Sequence, residues 1–312
     1  MASPRPAAAG LKKVRPGREI YIRFTPGSVS GTFSKSSIGV ILVHGSQGHH
    51  GQFHHQQKFL HKLGFTTIQY DLLGCGASSK PRPPNKASLI DCYCPASHYS
   101  DLEAILQLYV QALPRWILCG HSLGGPVAAE LARRRPAEVI GLILLGCGIY
   151  PHGDSQRAST DPLPSFKTFG PGMYRRSDLA LPFLQPFIAA SLQLLFWHPL
   201  TFWRQPWLPL QAWFNVCTTR SWVLNGNFSA PPLPQANFKE YVDLFRSIKQ
   251  PTLLIDKEQD AAGASGVQRM AADLADCCSF NVAGTGHYPH LERPETVNQL
   301  ILGWISERVI AA

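Results

Sequence analysis

The segment Trp116-Ile117-Leu118-Cys119-Gly120-His121-Ser122-Leu123-Gly124-Gly125 decides how the rest of the chain is read. Trp116 to Cys119 form a short apolar run that fits a buried strand, and from 123 to 135 small and apolar residues recur at helical spacing. One serine therefore stands where a strand turns into a helix, with glycine two positions before it and two positions after it. Small neighbours let the backbone enter a strained turn without side-chain clashes. That turn would hold Ser122 at the carboxyl end of the strand and at the amino end of the helix, where unpaired N–H groups favour negative charge. The bare five-residue pattern is weak evidence; its strand-turn-helix setting gives it weight.

Outward from this segment the same alternation continues. Apolar or alternating runs predict strands over 19–24, 38–43, 66–70, 139–145, 252–255 and 279–283, and helical spacing predicts helices over 52–63, 99–113, 261–274 and 294–309. Strands that alternate with helices imply an α/β class with a mostly parallel central sheet flanked by helices on both faces. The alternation breaks over 147–245, which holds five of the seven tryptophans, at 197, 203, 207, 213 and 222. No Asp, Glu, Lys or Arg occurs from Leu179 to Trp203, but Pro182, Pro186 and Pro199 oppose a straight membrane-spanning helix. The expected organisation is an N-terminal tail (1–14), a first core part (15–146), a helical cap insertion (147–245) and a second core part (246–312). Trp197, Trp203, Trp207 and Trp213 are the expected walls of a pocket beneath that cap.

The chain has 312 residues, 45% hydrophobic and 16% charged, a balance that excludes a disordered or coiled-coil protein. Lys and Arg exceed Asp and Glu by 29 to 20, for a formal charge of +9. No basic stripe interleaved with aromatics accompanies this excess, so nucleic acid is not expected as a partner. Residues 1–18 hold five bases (Arg5, Lys12, Lys13, Arg15, Arg18) and no acid, as a transit peptide would, yet Pro4, Pro6 and Pro16 oppose an amphipathic helix. The eight cysteines follow no disulfide spacing. An intracellular protein, cytoplasmic or peripheral to membranes, is the expectation.

A serine hydroxyl needs a base within hydrogen-bond reach to act as a nucleophile. His287, in Gly284-Thr285-Gly286-His287 between the last strand and the last helix, is placed for that role, ahead of His290. The acid that orients it should follow the preceding strand, where both Asp260 and Asp256 stand. Six of the twelve histidines fall between His44 and His61, and His50 and His54 have the spacing of a helical metal pair. No third ligand stands in register with them, so no metal and no cofactor is expected.

The residues His44-Gly45, Asp71-Leu-Leu-Gly74-Cys-Gly76, Gly120 to Gly125, Pro251 to Asp260 and Gly286-His287 with Glu292-Arg-Pro294 resemble the α/β-hydrolase superfamily, within it the capped abhydrolase-domain serine hydrolases. The resemblance implies the order Ser122, Asp260, His287 for nucleophile, acid and base, and an oxyanion hole from the backbone N–H groups of Ser46 and Leu123. Lys257 stands where the family more often has glycine, which keeps Asp256 open as the acid. Glu292 is not at the Asp spacing expected of related acyltransferases. The implied function is cleavage of carboxylic esters, with an apolar or lipid acyl substrate favoured by the cap, and with activity rising through about pH 6 to 7.5 as a histidine base loses its proton. The alternatives are a non-catalytic lipid- or partner-binding protein on the same fold, and an acyltransferase or carbon–carbon bond hydrolase using the same three residues. Oligomeric state is not legible; peripheral membrane contact fits the basic excess and the aromatic cap.

Overall fold

The computed structural model describes residues 8–34, 37–111, 113–147, 194, 197–217, 223, 238–257 and 266–311. Eight strands form one sheet: β1 (Ala8–Arg15), β2 (Arg18–Thr25), β3 (Ile38–Val43), β4 (Thr66–Tyr70), β5 (Arg115–His121), β6 (Val139–Leu145), β7 (Thr252–Lys257) and β8 (Cys277–Val282). Their order across the sheet is β1-β2-β4-β3-β5-β6-β7-β8. β1 and β2 pair antiparallel, as do β2 and β4, and every pairing from β4 through β3 to β8 is parallel. The helices are α1 (His54–Leu63), α2 (Lys86–Tyr93), α3 (Pro95–Tyr109), α4 (Gly124–Arg134), α5 (Pro199–Arg204), α6 (Trp207–Cys217), α7 (Phe238–Arg246), α8 (Gly266–Asp273), α9 (Pro289–Glu292) and α10 (Pro294–Trp304), with a wider turn continuing α10 over Ile305–Ile310.

Successive side chains of a strand point to opposite faces, and the buried strands divide their residues accordingly. Ile41, Val43, Trp116, Leu118, Leu142 and Leu144 pack on the face that carries α3, α4, α7 and α8. Val40, Leu42, Ile117, Cys119, Ile143 and Leu145 pack on the other face, with Leu60 of α1 and Val297, Ile301 and Trp304 of α10. A sheet covered on both faces needs continuous apolar strands, and those of β3 and β6 were legible in the sequence for that reason.

Two elements, β1 and α2, were not expected at all. Residues 8–14, expected as part of a tail, extend the sheet as edge strand β1, which returns through Pro16-Gly17 to β2. The bases there hold tertiary structure. Arg18 donates to both carboxylate oxygens of Asp101 on α3, at 2.6 and 2.5 Å, and Arg15 donates to the same carboxylate at 2.9 Å. Helix α2 was not foreseen; its apolar residues do not gather on one face, and Asn85 caps it by accepting from the Ser88 N–H at 2.9 Å. Of the segment expected as the cap, α5, α6 and α7 lie within the described residues, while 148–193 and 224–237 lie outside them. Among the described residues no helix is long and apolar enough to cross a membrane.

The Asp101 carboxylate is 1% exposed and the Arg18 side chain 9%, so removing the acid strands a buried guanidinium. Asp101→Ala is expected to lower unfolding free energy by about 3 to 5 kcal/mol in urea denaturation, the cost typical of a broken buried pair. A loss below about 1 kcal/mol, the range of surface pairs, would show that the hairpin is not held to α3 in this way.

Candidate active site

Strand register brings the carboxyl ends of β3, β5, β6 and β7 together. Val43 pairs with Gly120, His121 with Leu145, and Leu145 with Ile255, so that His44-Gly45, Ser122, Gly146 and Asp256 emerge side by side. Ser122 has φ of +50°, the left-handed region that few residues other than glycine enter. Its N–H donates to the Leu145 carbonyl at 3.0 Å and its carbonyl accepts from the Gly125 N–H at 2.9 Å. A Cβ on Gly120 would lie 2.4 Å from the Gly124 oxygen, and one on Gly124 would lie 2.2 Å from the Val43 oxygen. Both flanking glycines are therefore demanded by contact between backbones, and the strained serine is held by packing that admits nothing larger.

The loop after β3 passes directly against this turn, since a Cβ on Gly45 would stand 3.0 Å from the Ser122 Cβ. His44 Nδ1–H donates to the Gly45 carbonyl at 2.7 Å, while its Nε2 accepts from the Leu72 N–H at 2.9 Å. That arrangement requires a neutral ring, and burial pushes the His44 pKa down to about 4, against the opposing pull of Asp71. Gly48 N–H also donates to the Gly45 carbonyl, at 3.1 Å. Because a trans peptide sends its N–H opposite its C=O, fixing the Gly45 oxygen fixes the direction of the Ser46 N–H. Asp71, fully buried, organises the far side of the loop. It accepts from His50 N–H at 2.6 Å, from His50 Nδ1 at 2.8 Å and from Ala77 N–H at 2.7 Å. Burial raises its pKa, but the His50 hydrogen bonds and the His44 ring outweigh that and hold it below the usual carboxylate range.

His287 lies on the loop between β8 and α9. Its carbonyl accepts from Nε2–H of His121 at 2.9 Å, and the two rings are 5.0 Å apart. The residue beside Ser122 thus carries the loop that bears His287. Burial, then the neighbouring His121 and Lys257, push the His287 pKa well below its ordinary value. Gly286 N–H donates to Glu292 Oε1 at 2.8 Å, and Glu292 Oε2 accepts from the His198 N–H at 3.1 Å and from the Thr201 hydroxyl. One buried carboxylate therefore ties the histidine loop to α5 and its N-cap. Burial raises the Glu292 pKa against the hydrogen bond from Thr201 and those from the backbone.

His290 is fully buried, stacked on Phe53 at 5.0 Å and 4.6 Å from the His121 ring, with its pKa pushed down to about 3 by burial. Asp260 lies outside the described residues. Asp256 is buried near the end of β7 and accepts from the Lys257 N–H at 2.7 Å. His50 and His54, spaced like metal ligands, bond to Asp71 and to the Gly51 carbonyl respectively.

A cavity of about 350 Å³ lies between the β3 loop and α6, walled by Gln47, His49, Gln52, Trp197, Leu208 and Ala212 among others. Its size falls at the lower end of the range for small-molecule sites, about 300 to 1,000 Å³. Trp197 lines it and stacks on Tyr288 at 4.4 Å. Trp213 is half-buried. Trp203 and Trp207, expected as pocket walls, are 88% and 76% exposed and do not line the cavity, because helical spacing turns them outward. The sequence reading missed Gln47 and Gln52 as walls and His121 as a brace. Only the position of His121 inside the turn motif pointed to it.

The family model described as the alpha/beta hydrolase family matches residues 40–300. Human Protein ABHD8 is 27% identical over 288 residues, covering 92% of this chain, and the chain spans 59% of that relative's length. Proline iminopeptidase of Lactobacillus helveticus (strain DPC 4571) is 23% identical over 289 residues, covering 86% of this chain and 90% of the relative. An esterase of Thermogutta terrifontis shares the fold with a TM-score of 0.71 at 22% identity, over 97% of this chain and 99% of that one. With the sheet order, the serine turn and a family match over most of its length, the chain belongs to the alpha/beta hydrolase family.

Proposed function

We propose that this chain is a serine hydrolase that cleaves carboxylic esters with an apolar or lipid acyl group. The observation that carries the reading is the positive φ of Ser122, held between the β3 loop and the histidine loop. Strain of this kind costs about 1 to 3 kcal/mol and persists where the surroundings over-determine it, as they do at nucleophile turns.

In the proposed reaction Ser122 Oγ attacks the ester carbonyl while His287 accepts its proton. The N–H groups of Ser46 and Leu123 receive the oxyanion, and His287 returns the proton to the departing alcohol. Water activated by the same histidine then attacks the acyl-enzyme, releasing the acid and restoring Ser122. Asp260 is the proposed acid that fixes the His287 tautomer, with Asp256 as the alternative. The cavity beside the β3 loop sets Trp197, Leu208, Ala212 and Leu291 beside polar walls such as Gln47, Gln52 and Asn215, and is the proposed place for the acyl group.

A fluorophosphonate probe is expected to label the protein and not Ser122→Ala, and ester turnover in that variant should fall by roughly 10⁴-fold or more. Absence of labelling in folded protein would leave the binding-protein reading in its place. Because a general base acts in its neutral form, a depressed His287 pKa moves the acid limb to lower pH. The acid limb of kcat/KM is therefore expected at lower pH than the rise through about pH 6 to 7.5 of an unperturbed histidine. A half-maximum near 7 would contradict the burial of the base. Glu292→Ala should lower kcat more than it changes KM and cost about 1 to 3 kcal/mol of stability, because Gly286 N–H loses its acceptor. Equal kinetics in that variant would show that the clamp does not position His287.

A further inference from the structure

Helix α6 is apolar on two sides. Leu208 and Ala212 turn inward and pack against the cluster of Trp197, Tyr288 and Leu291. Trp207, Leu210 and Phe214, at the i, i+3, i+7 spacing of one helical face, are 76%, 56% and 62% exposed. Leu200, Phe202 and Trp203 of α5 are exposed beside them in the chain. The outer side of a helix on a globular protein is normally charged; here a face of large apolar side chains meets water, the mark of an interaction surface.

Charge selects among occupants. From Leu179 to Cys217 the only formally charged side chain is Arg204, itself exposed, and the whole chain carries +9. A second copy would set another Arg204 and a chain of the same net charge against this face. An anionic bilayer brings the opposite sign, together with the interfacial layer in which tryptophan and phenylalanine rings are most favourably placed. Helix α6 also separates this face from the cavity, which Leu208, Ala212 and Asn215 line from its other side. A chain docked through α6 would keep the cavity within one helix diameter of the lipid, about 10 Å.

We propose that the outer face of α5 and α6 docks on the surface of anionic phospholipid bilayers. Docking needs no turnover, so it stands or falls separately from the hydrolase reading and should be retained in Ser122→Ala.

The test is flotation of the full chain with phosphatidylcholine vesicles, with and without phosphatidylserine, beside hydrolysis of a soluble short-chain ester. Wild type is expected to float with the anionic vesicles, less so in high salt. Phe202→Ser/Leu210→Ser/Phe214→Ser should reduce the vesicle partition coefficient by roughly tenfold or more while leaving circular dichroism unchanged. Arg204→Glu, which leaves the apolar side chains in place, should weaken binding to anionic vesicles and spare the smaller binding to neutral ones. Folded wild type that stays with the aqueous fraction would overturn the proposal. So would a triple variant that floats like wild type. A wild-type dimer in sedimentation that the triple variant abolishes, without flotation, would assign the face to a second copy. Flotation of Ser122→Ala together with a wild type inactive on every ester would uphold docking and remove the hydrolase reading.

Discussion

The site depends on one steric constraint: strand β5 must end and helix α4 must begin within two residues, with the backbone of α4 pressed on the carbonyl of Val43. No side chain fits at Gly120 or Gly124, and the peptide between them turns only if Ser122 takes a positive φ. Everything else near the site is arranged around that contact. The β3 loop cannot approach Ser122 unless residue 45 is glycine, and it cannot present the Ser46 N–H unless the Gly45 carbonyl is held from behind. His44 holds it through Nδ1. The same steric demand explains why these positions read clearly as sequence: close backbone contact permits one residue type, whereas apolar packing permits several.

Around the turn four histidines are kept neutral by removing them from water. For His44, His121, His287 and His290 burial is the largest cause of the lowered pKa, and for the last three another histidine of the set adds to it. Neutral imidazole is both donor and acceptor, so His44 can brace two peptides at once, and His121 can hold the carbonyl of His287. Charging any one of them would place a cation among close neighbours in a medium that screens poorly. Hydrogen bonds fix the tautomers of His44 and His121 within this cluster.

How much was legible follows the range of the interaction. The bounds of β3 and β6 agree with those expected, because a strand buried on both faces is a local apolar run. Helix α3 begins at Pro95 and not at residue 99, since proline is well tolerated in the first turn and the four residues before Tyr99 have little apolar spacing of their own. β5 runs on to His121 because its ladder with β6 continues through Leu145, which periodicity along one segment does not record. Trp203 and Trp207, in the segment expected as a cap, were the clearest misreading. Composition told that 197, 203, 207 and 213 share an apolar segment, but two or three positions along a helix decide whether a ring lines a cavity or faces water.

The basic excess also changes meaning once partners are known. Arg15 and Arg18 share Asp101, Arg133 and Arg134 share Glu130, Arg135 pairs with Glu138, and Arg246 and Arg308 pair with Asp273 and Asp276. Arg134 also lies 4.7 Å from the centre of the Tyr99 ring. The runs that look most basic in the sequence, 12–18 and 133–135, thus contribute to holding β1, β2, α3 and α4 together. Pairing cancels fields at short range but leaves the sum of charges unchanged. With carboxylates drawn into such pairs, the positive remainder acts at distances near the Debye length, about 8 Å at physiological salt, where it biases encounter with anionic surfaces without specifying a contact. Among the described residues, exposed apolar area is concentrated on α5 and α6.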